Sequence, residues 1–325
     1  MKHFDKSSFG EVVEAMRCEF QKNYYAMYSS VYGGIVTDPA LMMLPLDDHM
    51  VHRGDGVFEA FKCVNGSIYN MKGHLERLIH SASGLILVLP WSSGQIGDIV
   101  VETVRSGGHK ECMIRLYASR GPGSFDVNPY DCPVPQLYVA ATSLKKPFME
   151  LHPEGAVVRT SRVPVKEPSY ASIKSCNYLP NVLMRKEAAE LKADFVAAFD
   201  SGGFLAEGAT ENIGIVTRNG KLLFPRLDGI LCGTTMMRVM DLAGKLMDSG
   251  DLKKVGFADI SHKDILNAAE VLIVGTTPNV AAVREFDGAK TGDGKPGVIG
   301  RKLNALLADD ILHNRQLLTP VPDLA

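Results

Sequence analysis

The chain has 325 residues, 46% of them hydrophobic and 22% charged, with 35 Lys and Arg against 37 Asp and Glu for a net charge of −2. This is a globular composition that excludes disorder, collagen and coiled coil. It has no basic excess to meet nucleic acid or a membrane surface, and no window approaches the ~18 unbroken apolar residues of a membrane helix. The opening MKHFDKSSFGEVVEAM does not read as a signal peptide. Cys18, Cys63, Cys112, Cys132, Cys176 and Cys232 are scattered, without a CxxC pair, and read as reduced thiols. A cytoplasmic protein is expected. His49 and His52, and His74 and His80, have no carboxylate at convincing spacing, so no metal site is expected.

Residues 8–22 place apolar side chains at helical intervals behind Ser7 or Ser8 as a cap, which predicts a helix. YSSVYGGIVTDPALMML reads as turn-punctuated extended chain. Two short strands follow, Val57 to Val64 and Ile68 to Met71, and the Asn65-Gly66 pair between them predicts a tight hairpin. Helices are expected at 73–84 and 94–106, and strands at 111–119 and 136–142. The intervening 121–135, GPGSFDVNPYDCPVP, holds too much Gly and Pro for helix or central strand and reads as a linker or an active-site loop. Beyond it come a helix at 180–192, strands near 195–199, 213–217 and 221–224, and a helix at 234–248. The strand EVLIVG ending at Gly275 and a helix at 298–313 complete the series. Helices and strands mix without βαβ regularity, so the expected fold class is α+β in two domains, 1–145 and 146–325.

Two pattern matches carry no function. The run 292–297 satisfies GxGxxG but lies near the C-terminus with Pro inside, where a surface turn is the better reading. Arg53-Gly54-Asp55 resembles an adhesion tripeptide, which a protein expected inside the cell has no use for. Other features suit a phosphate. The run 228–235, DGILCGTT, enters a helix whose first N–H groups and dipole favour an anion, although a capped helix start explains it equally. A second Gly-Thr-Thr, at Gly275, Thr276 and Thr277, follows a strand and is otherwise an ordinary turn. Arg77 could add a charge-assisted fork or be a solvated surface residue. Lys174, in SIKSCNY, is either a surface lysine or a buried amine made nucleophilic by a lowered pKa. Glu207, in FLAEGATEN, is an acid among small and apolar residues, or a plain loop carboxylate. Together these supply what pyridoxal 5′-phosphate demands: an amine, a carboxylate for the pyridine nitrogen and a phosphate cup.

The strings HRGDGVFEAF…NGSIYNMKGHLERL, IKSCNYLPNVLMRKEA, GGFLAEGATENIGIV, DGILCGTTMMRVMDLA and VGTTPNVAAV resemble, in order and spacing, the fold-type IV enzymes that use pyridoxal phosphate. These are the branched-chain and D-amino-acid aminotransferases and the 4-amino-4-deoxychorismate lyases. The resemblance covers about 28–310, and 28–59 looks most like the plant-type D-amino-acid aminotransferase and lyase branch. It implies a small α/β domain and a larger, β-barrel-like one, in a homodimer whose sites borrow a loop from the partner. It implies Lys174 as the Schiff-base lysine, Glu207 at the pyridinium nitrogen, and Arg77, Gly233, Thr234, Thr235 and Thr276 at the phosphate. Tyr178 falls near the cofactor's phenolic oxygen. Phe58, Arg115, Arg120 and Thr277 fall on substrate positions, Arg115 or Arg120 as the grip on a carboxylate. Pro122 stands where the D-amino-acid enzymes carry a histidine, and Met113 with Arg115 lacks the tyrosine-x-arginine of branched-chain enzymes. The implied activity is transfer of an amino group from an amino acid to an α-keto acid. Release of pyruvate and 4-aminobenzoate from aminodeoxychorismate is the alternative.

Overall fold

A computed structural model describes residues 1–324, which divide into two compact units. The first comprises 1–144 with two returning segments, 174–177 and the C-terminal residues from Arg315; the second comprises 145–173 and 178–314. A single cut at 145 takes no account of the returning segments, which join the first unit through backbone pairing described below.

In the first unit, helix α1 (Phe9–Ala15) is followed by strands β1 (Tyr24–Ser29) and β2 (Gly34–Val36), the short helix α2 (His49–Arg53), and β3 (Gly56–Val64). Then come β4 (Ser67–Tyr69), helices α3 (Met71–Gly84) and α4 (Ser93–Gly107), β5 (Cys112–Ser119) and β6 (Gln136–Thr142). The helix expected over 8–22 stops at Ala15, and a 3-10 turn takes up Glu19–Asn23. The seven strands, including the C-terminal Leu318–Pro320, form one antiparallel sheet ordered Leu318–Pro320, β4, β3, β5, β6, β1, β2. The β3–β4 hairpin turns at Asn65 and Gly66, both with positive φ (49° and 74°), the mirror-image geometry that suits strand twist.

Alternation on β3 sorts the faces. Val57, Phe61 and Cys63 are fully buried on the side where α3 packs, with Leu75, Leu78 and Ala82 of that helix buried in turn. Phe58 and Ala60 point the other way. β4 is only three residues long and pairs with Cys63 and Val64, leaving the outer edge of Gly56–Phe58 with unpaired backbone groups that must find partners. The segment 174–176 supplies them: Cys176 N–H donates to Gly56 O at 2.7 Å, Phe58 N–H to Lys174 O at 3.0 Å, and Val57 bridges Ser175.

The second unit holds α5 (Phe148–Leu151), β7 (Ala156–Thr160), α6 (Pro168–Ala171), α7 (Leu179–Glu190), β8 (Phe195–Ala197), β9 (Asn212–Val216) and β10 (Lys221–Phe224). It continues through α8 (Thr234–Leu242), α9 (Gly244–Asp248), β11 (Lys254–Phe257), α10 (His262–Leu266), β12 (Glu270–Gly275), β13 (Asn279–Phe286), β14 (Ala289–Lys290) and α11 (Val298–His313). The helix expected over 234–248 is thus two helices meeting at Ala243. The main path runs β11, β10, β9, β12, β13, β7, β8. Its ends are joined through 204–207. Ala198 N–H donates to Glu207 O at 3.0 Å and Ala206 N–H to Ala198 O at 2.9 Å, while Leu205 N–H donates to Ile260 O at 2.7 Å. The sheet is thereby closed into a barrel-like cylinder around a core that includes Val158, Ile213, Ile215, Val271, Ile273, Val283 and Phe286. No helix among the described residues is long and apolar enough to cross a membrane.

Candidate active site

In the first unit the chemistry gathers around Lys174, whose residue is only 9% exposed. Its backbone is held on two sides. Its carbonyl accepts from Phe58, and its N–H donates to Ser81 Oγ of α3 at 3.1 Å. Its ammonium lies 4.5 Å from the centroid of the Phe58 ring, a cation–π contact that lets a desolvated amine keep company. The reading of Lys174 as a surface lysine is excluded by this placement.

Glu59, fully buried on the α3-facing side of β3, accepts from Arg77 Nε and Nη2 at 2.7 Å each. It also accepts from His74 Nδ1 at 2.7 Å. Burial opposes ionisation of Glu59, but the Arg77 hydrogen bonds and charge, with His74, outweigh it and hold the carboxyl at about 2. Burial pushes His74 down, Glu59 opposes, and the charges of Arg77 and Lys174 push it further. A neutral imidazole donating Nδ1–H to Glu59 results. Arg77, with its side chain 11% exposed, is therefore an oriented fork rather than a solvated surface residue.

The histidines do have carboxylate partners, Glu59 for His74 and Asp55 for His49 at 3.3 Å. Sequence spacing missed the first because β3 folds alongside α3. An acid at a core-facing position of an amphipathic strand, between Val57 and Phe61, was the signal available. Among the described residues no group of three or more His, Cys, Asp or Glu could hold a metal.

Strand register places Phe58 opposite Tyr117, and Ala60 opposite Arg115, so Phe58, Tyr117 and Arg115 share one face. Arg115 is exposed there. Arg120 is not comparably available: it donates to Asp55 through Nε (3.0 Å) and Nη2 (3.1 Å) and to the carbonyls of Leu85 (2.8 Å) and Ile86 (3.0 Å). A guanidinium committed in this way does not fit the expected grip on a substrate carboxylate.

In the second unit Glu207 lies in the segment that closes the sheet, and bridges Asn212. Its Oε2 accepts from Leu231 N–H at 3.2 Å. Leu231 leads into Gly233, the residue preceding α8, which has no side chain of its own to cap that helix. The start of such a helix favours an anion through its dipole. A Cβ on Gly233 would come within 1.9 Å of Asn212 Oδ1, so the turn is kept free of bulk. Thr234, Thr235 and Thr276 are half-buried and Thr277 is exposed. Tyr178, just before α7, has the ammonium of Lys166 4.6 Å from its ring centroid. Burial lowers the pKa of Lys166, and Glu207 opposes that shift. Nothing in the sequence around Lys166 singled it out. The GxGxxG run behaves differently: the N-terminus of α11 that it precedes is filled by Glu270, which accepts from Ile299 and Gly300 N–H at 2.9 and 2.7 Å.

The first unit carries a desolvated primary amine and an oriented guanidinium, and the second a carboxylate, a helix opened by glycine and several hydroxyls. The family model described as Amino-transferase class IV matches residues 56–286. The D-amino-acid transaminase, chloroplastic, of Arabidopsis thaliana is 41% identical over 292 residues, 89% of this chain and 77% of that protein. The D-alanine aminotransferase of Bacillus licheniformis is 26% identical over 282 residues, 87% of this chain and 96% of that protein. A branched-chain amino acid aminotransferase of T.th. complexed with N-(5′-phosphopyridoxyl)-L-glutamate shares the fold at a TM-score of 0.83 and 25% identity, over 92% of this chain and 99% of the other. With the motifs, the two-sheet fold and these matches in agreement, the chain belongs to the class IV aminotransferases.

Proposed function

We propose that this aminotransferase takes its amino group from a D-amino acid and passes it to an α-keto acid, with pyridoxal 5′-phosphate as resident cofactor. The observation that carries the D-amino-acid reading is the 41% identity to the Arabidopsis D-amino-acid transaminase across 89% of the chain. The residues fit the cofactor: a buried amine against Phe58, a carboxylate already accepting an N–H, and a helix start opened by a glycine where a Cβ would clash.

When bound, the cofactor supplies an aldehyde for amines and a protonated ring that accepts an electron pair. Lys174 offers the amine and carries the proton between the substrate Cα and the cofactor C4′ carbon. Glu207 keeps the ring nitrogen protonated. Arg77, oriented by Glu59, joins Gly233, Thr234, Thr235 and Thr276 in holding the phosphate, and Tyr178 is assigned to the phenolic oxygen. Phe58, Arg115 and Thr277 are assigned to the substrate, with Arg115 as the carboxylate's cation.

A homodimer is part of this reading, supported by the exposed Phe125, Val127, Tyr130 and Val134 on the 121–135 loop, an apolar surface of the kind partners cover. The cytoplasmic assignment rests on the six free cysteines, which suit a reducing compartment.

The test is an absorption spectrum of the protein with pyridoxal phosphate, repeated after adding D-alanine, L-leucine or L-glutamate. A near-visible band bleached by D-alanine and restored by 2-oxoglutarate or pyruvate is expected. Bleaching by L-leucine alone would move the enzyme to the branched-chain class. Formation of 4-aminobenzoate from aminodeoxychorismate without any keto acid would make it a lyase, and no band at all would remove the cofactor assignment.

A further inference from the structure

Arg120 sits at a junction. Its guanidinium forks onto Asp55, immediately before β3, and reaches the carbonyls of Leu85 and Ile86, immediately after α3. Its own N–H donates to Asp55 O at 3.1 Å. Four of the five N–H groups of an arginine are thus spent within the first unit.

The carbonyls it holds belong to an unfavourable backbone. Ile86 has φ of +52°, a left-handed conformation that a β-branched residue adopts only when its surroundings impose it. Its side chain is 83% exposed, so packing of that side chain does not impose it. The hydrogen bonds that end α3 do, with Leu87 N–H donating to Ala82 O at 2.9 Å and Ile86 N–H to Ser83 O at 3.0 Å, and the Arg120 fork adds a cation on the carbonyls beyond them.

The next residue starts the 121–135 loop, whose two ends close on each other. Gly121 has φ of +97° and a Cβ there would lie 2.1 Å from Val134 O. A second set of bonds holds the same root: Asp48 accepts from Tyr138 Oη at 2.6 Å and from Ser119 Oγ, and Ser119 Oγ accepts from Gly121 N–H at 3.0 Å.

The elements that Arg120 joins are those that hold Lys174. α3 provides Ser81 Oγ for its N–H, and the start of β3 provides the Phe58 N–H for its carbonyl. We propose that Arg120, paired with Asp55, is a positioning residue that locks the end of α3, the start of β3 and the root of the 121–135 loop into the frame on which Lys174 is held, and is not the grip on a substrate carboxylate. The proposal rests on Lys174 being the reactive amine.

The test compares Asp55→Asn, Arg120→Met and the double variant as holoenzymes, using propionate as a non-reacting carboxylate. Either single change is expected to lower kcat on the order of 10²-fold, as small misplacements of a reacting group do. It should also move the pH midpoint of the bound cofactor's absorption band and speed chymotrypsin cleavage after Phe125 or Tyr130. The KM for the amino acid and the Ki of propionate should change by less than about 3-fold, and the double variant should lose much less than the product of the singles because both break the Arg120–Asp55 contact.

Arg120→Met raising KM and Ki by roughly 10-fold or more, the scale of a lost charge-assisted contact, with Asp55→Asn silent, would overturn the proposal. So would lowered thermal stability with kcat, band midpoint and cleavage all unchanged. If Arg120→Met fails to fold, Asp55→Asn decides alone, since Asp55 has no part in gripping an anion. Wild-type protein that forms no band with pyridoxal phosphate refutes the Lys174 reading, and the cleavage rates then still decide whether Arg120 and Asp55 hold the loop.

Discussion

The two units hold their candidate residues by different physics. Around Lys174 the first unit uses buried charge: Glu59 binds Arg77 and His74 at 2.7 Å with no exposure to water. The second unit uses backbone: Glu207 is fixed by strand pairing and by the Leu231 N–H, and the turn at Gly233 by lack of a side chain. A buried ion pair specifies geometry strongly, but breaking one partner strands the other charge. A backbone-built site carries no such penalty and tolerates changes of charge while resisting changes of shape. The first region should therefore be sensitive to charge and acid, the second to bulk.

The largest expected effect is at Lys174. Lys174→Ala should lower turnover roughly 10²–10⁴-fold, the contribution of a positioned acid–base group, and shift the cofactor band toward that of free pyridoxal phosphate. Turnover at the wild-type rate would end the mechanism. Glu207→Gln comes next, with kcat down on the order of 10²-fold from loss of charge stabilisation and a thermal midpoint close to wild type. A large fall in that midpoint would contradict the backbone account of the second unit.

Arg77→Met should weaken cofactor binding roughly 10- to 100-fold, the worth of hydrogen bonds to a charged group. It should also destabilise the protein by about 3–5 kcal/mol by stranding Glu59; equilibrium dialysis and thermal melts would report the two separately. Glu59 also sets an acid limit. Its carboxyl is held at about 2 against an ordinary 4.5, so the stability it contributes is complete above pH 4.5 and is lost as the pH falls through 2. Acid melts of Glu59→Gln should lack this component. The smallest effect is expected for Gly233→Ala, where the added methyl must displace Asn212: about 1–3 kcal/mol of overpacking and weaker cofactor binding, with the acid response unchanged.

Much of the secondary structure was legible because its signals are local. The Asn65-Gly66 turn, EVLIVG, the strand 136–142 and the helix 298–313 stand where periodicity and turn residues put them. β13 was not foreseen: NVAAVREF has five consecutive buried residues at its start, so it lacks the alternation that marks a strand with one wet face. The expected helix over 8–22 was too long because periodicity carries no information on where tertiary contacts cease to support it.

Two helix starts in the second unit show the limit most directly. GxGxxG before α11 and Gly-Thr-Thr before α8 are both small-residue turns, and composition alone does not separate them as anion sites. Folding does, because Glu270 reaches the first, whereas the second opens on a glycine that has no side chain to cap it.

What the sequence determined by itself was the family, with Lys174, Glu207 and the phosphate-suited turns as its candidate residues, since each is carried by a short contiguous string. What only the tertiary structure decided was how these groups are held and which charges are already spent. Glu59 meets Arg77 across 18 residues and Arg120 meets Asp55 across 65. Such pairings depend on strand register and helix packing, which no local spacing encodes.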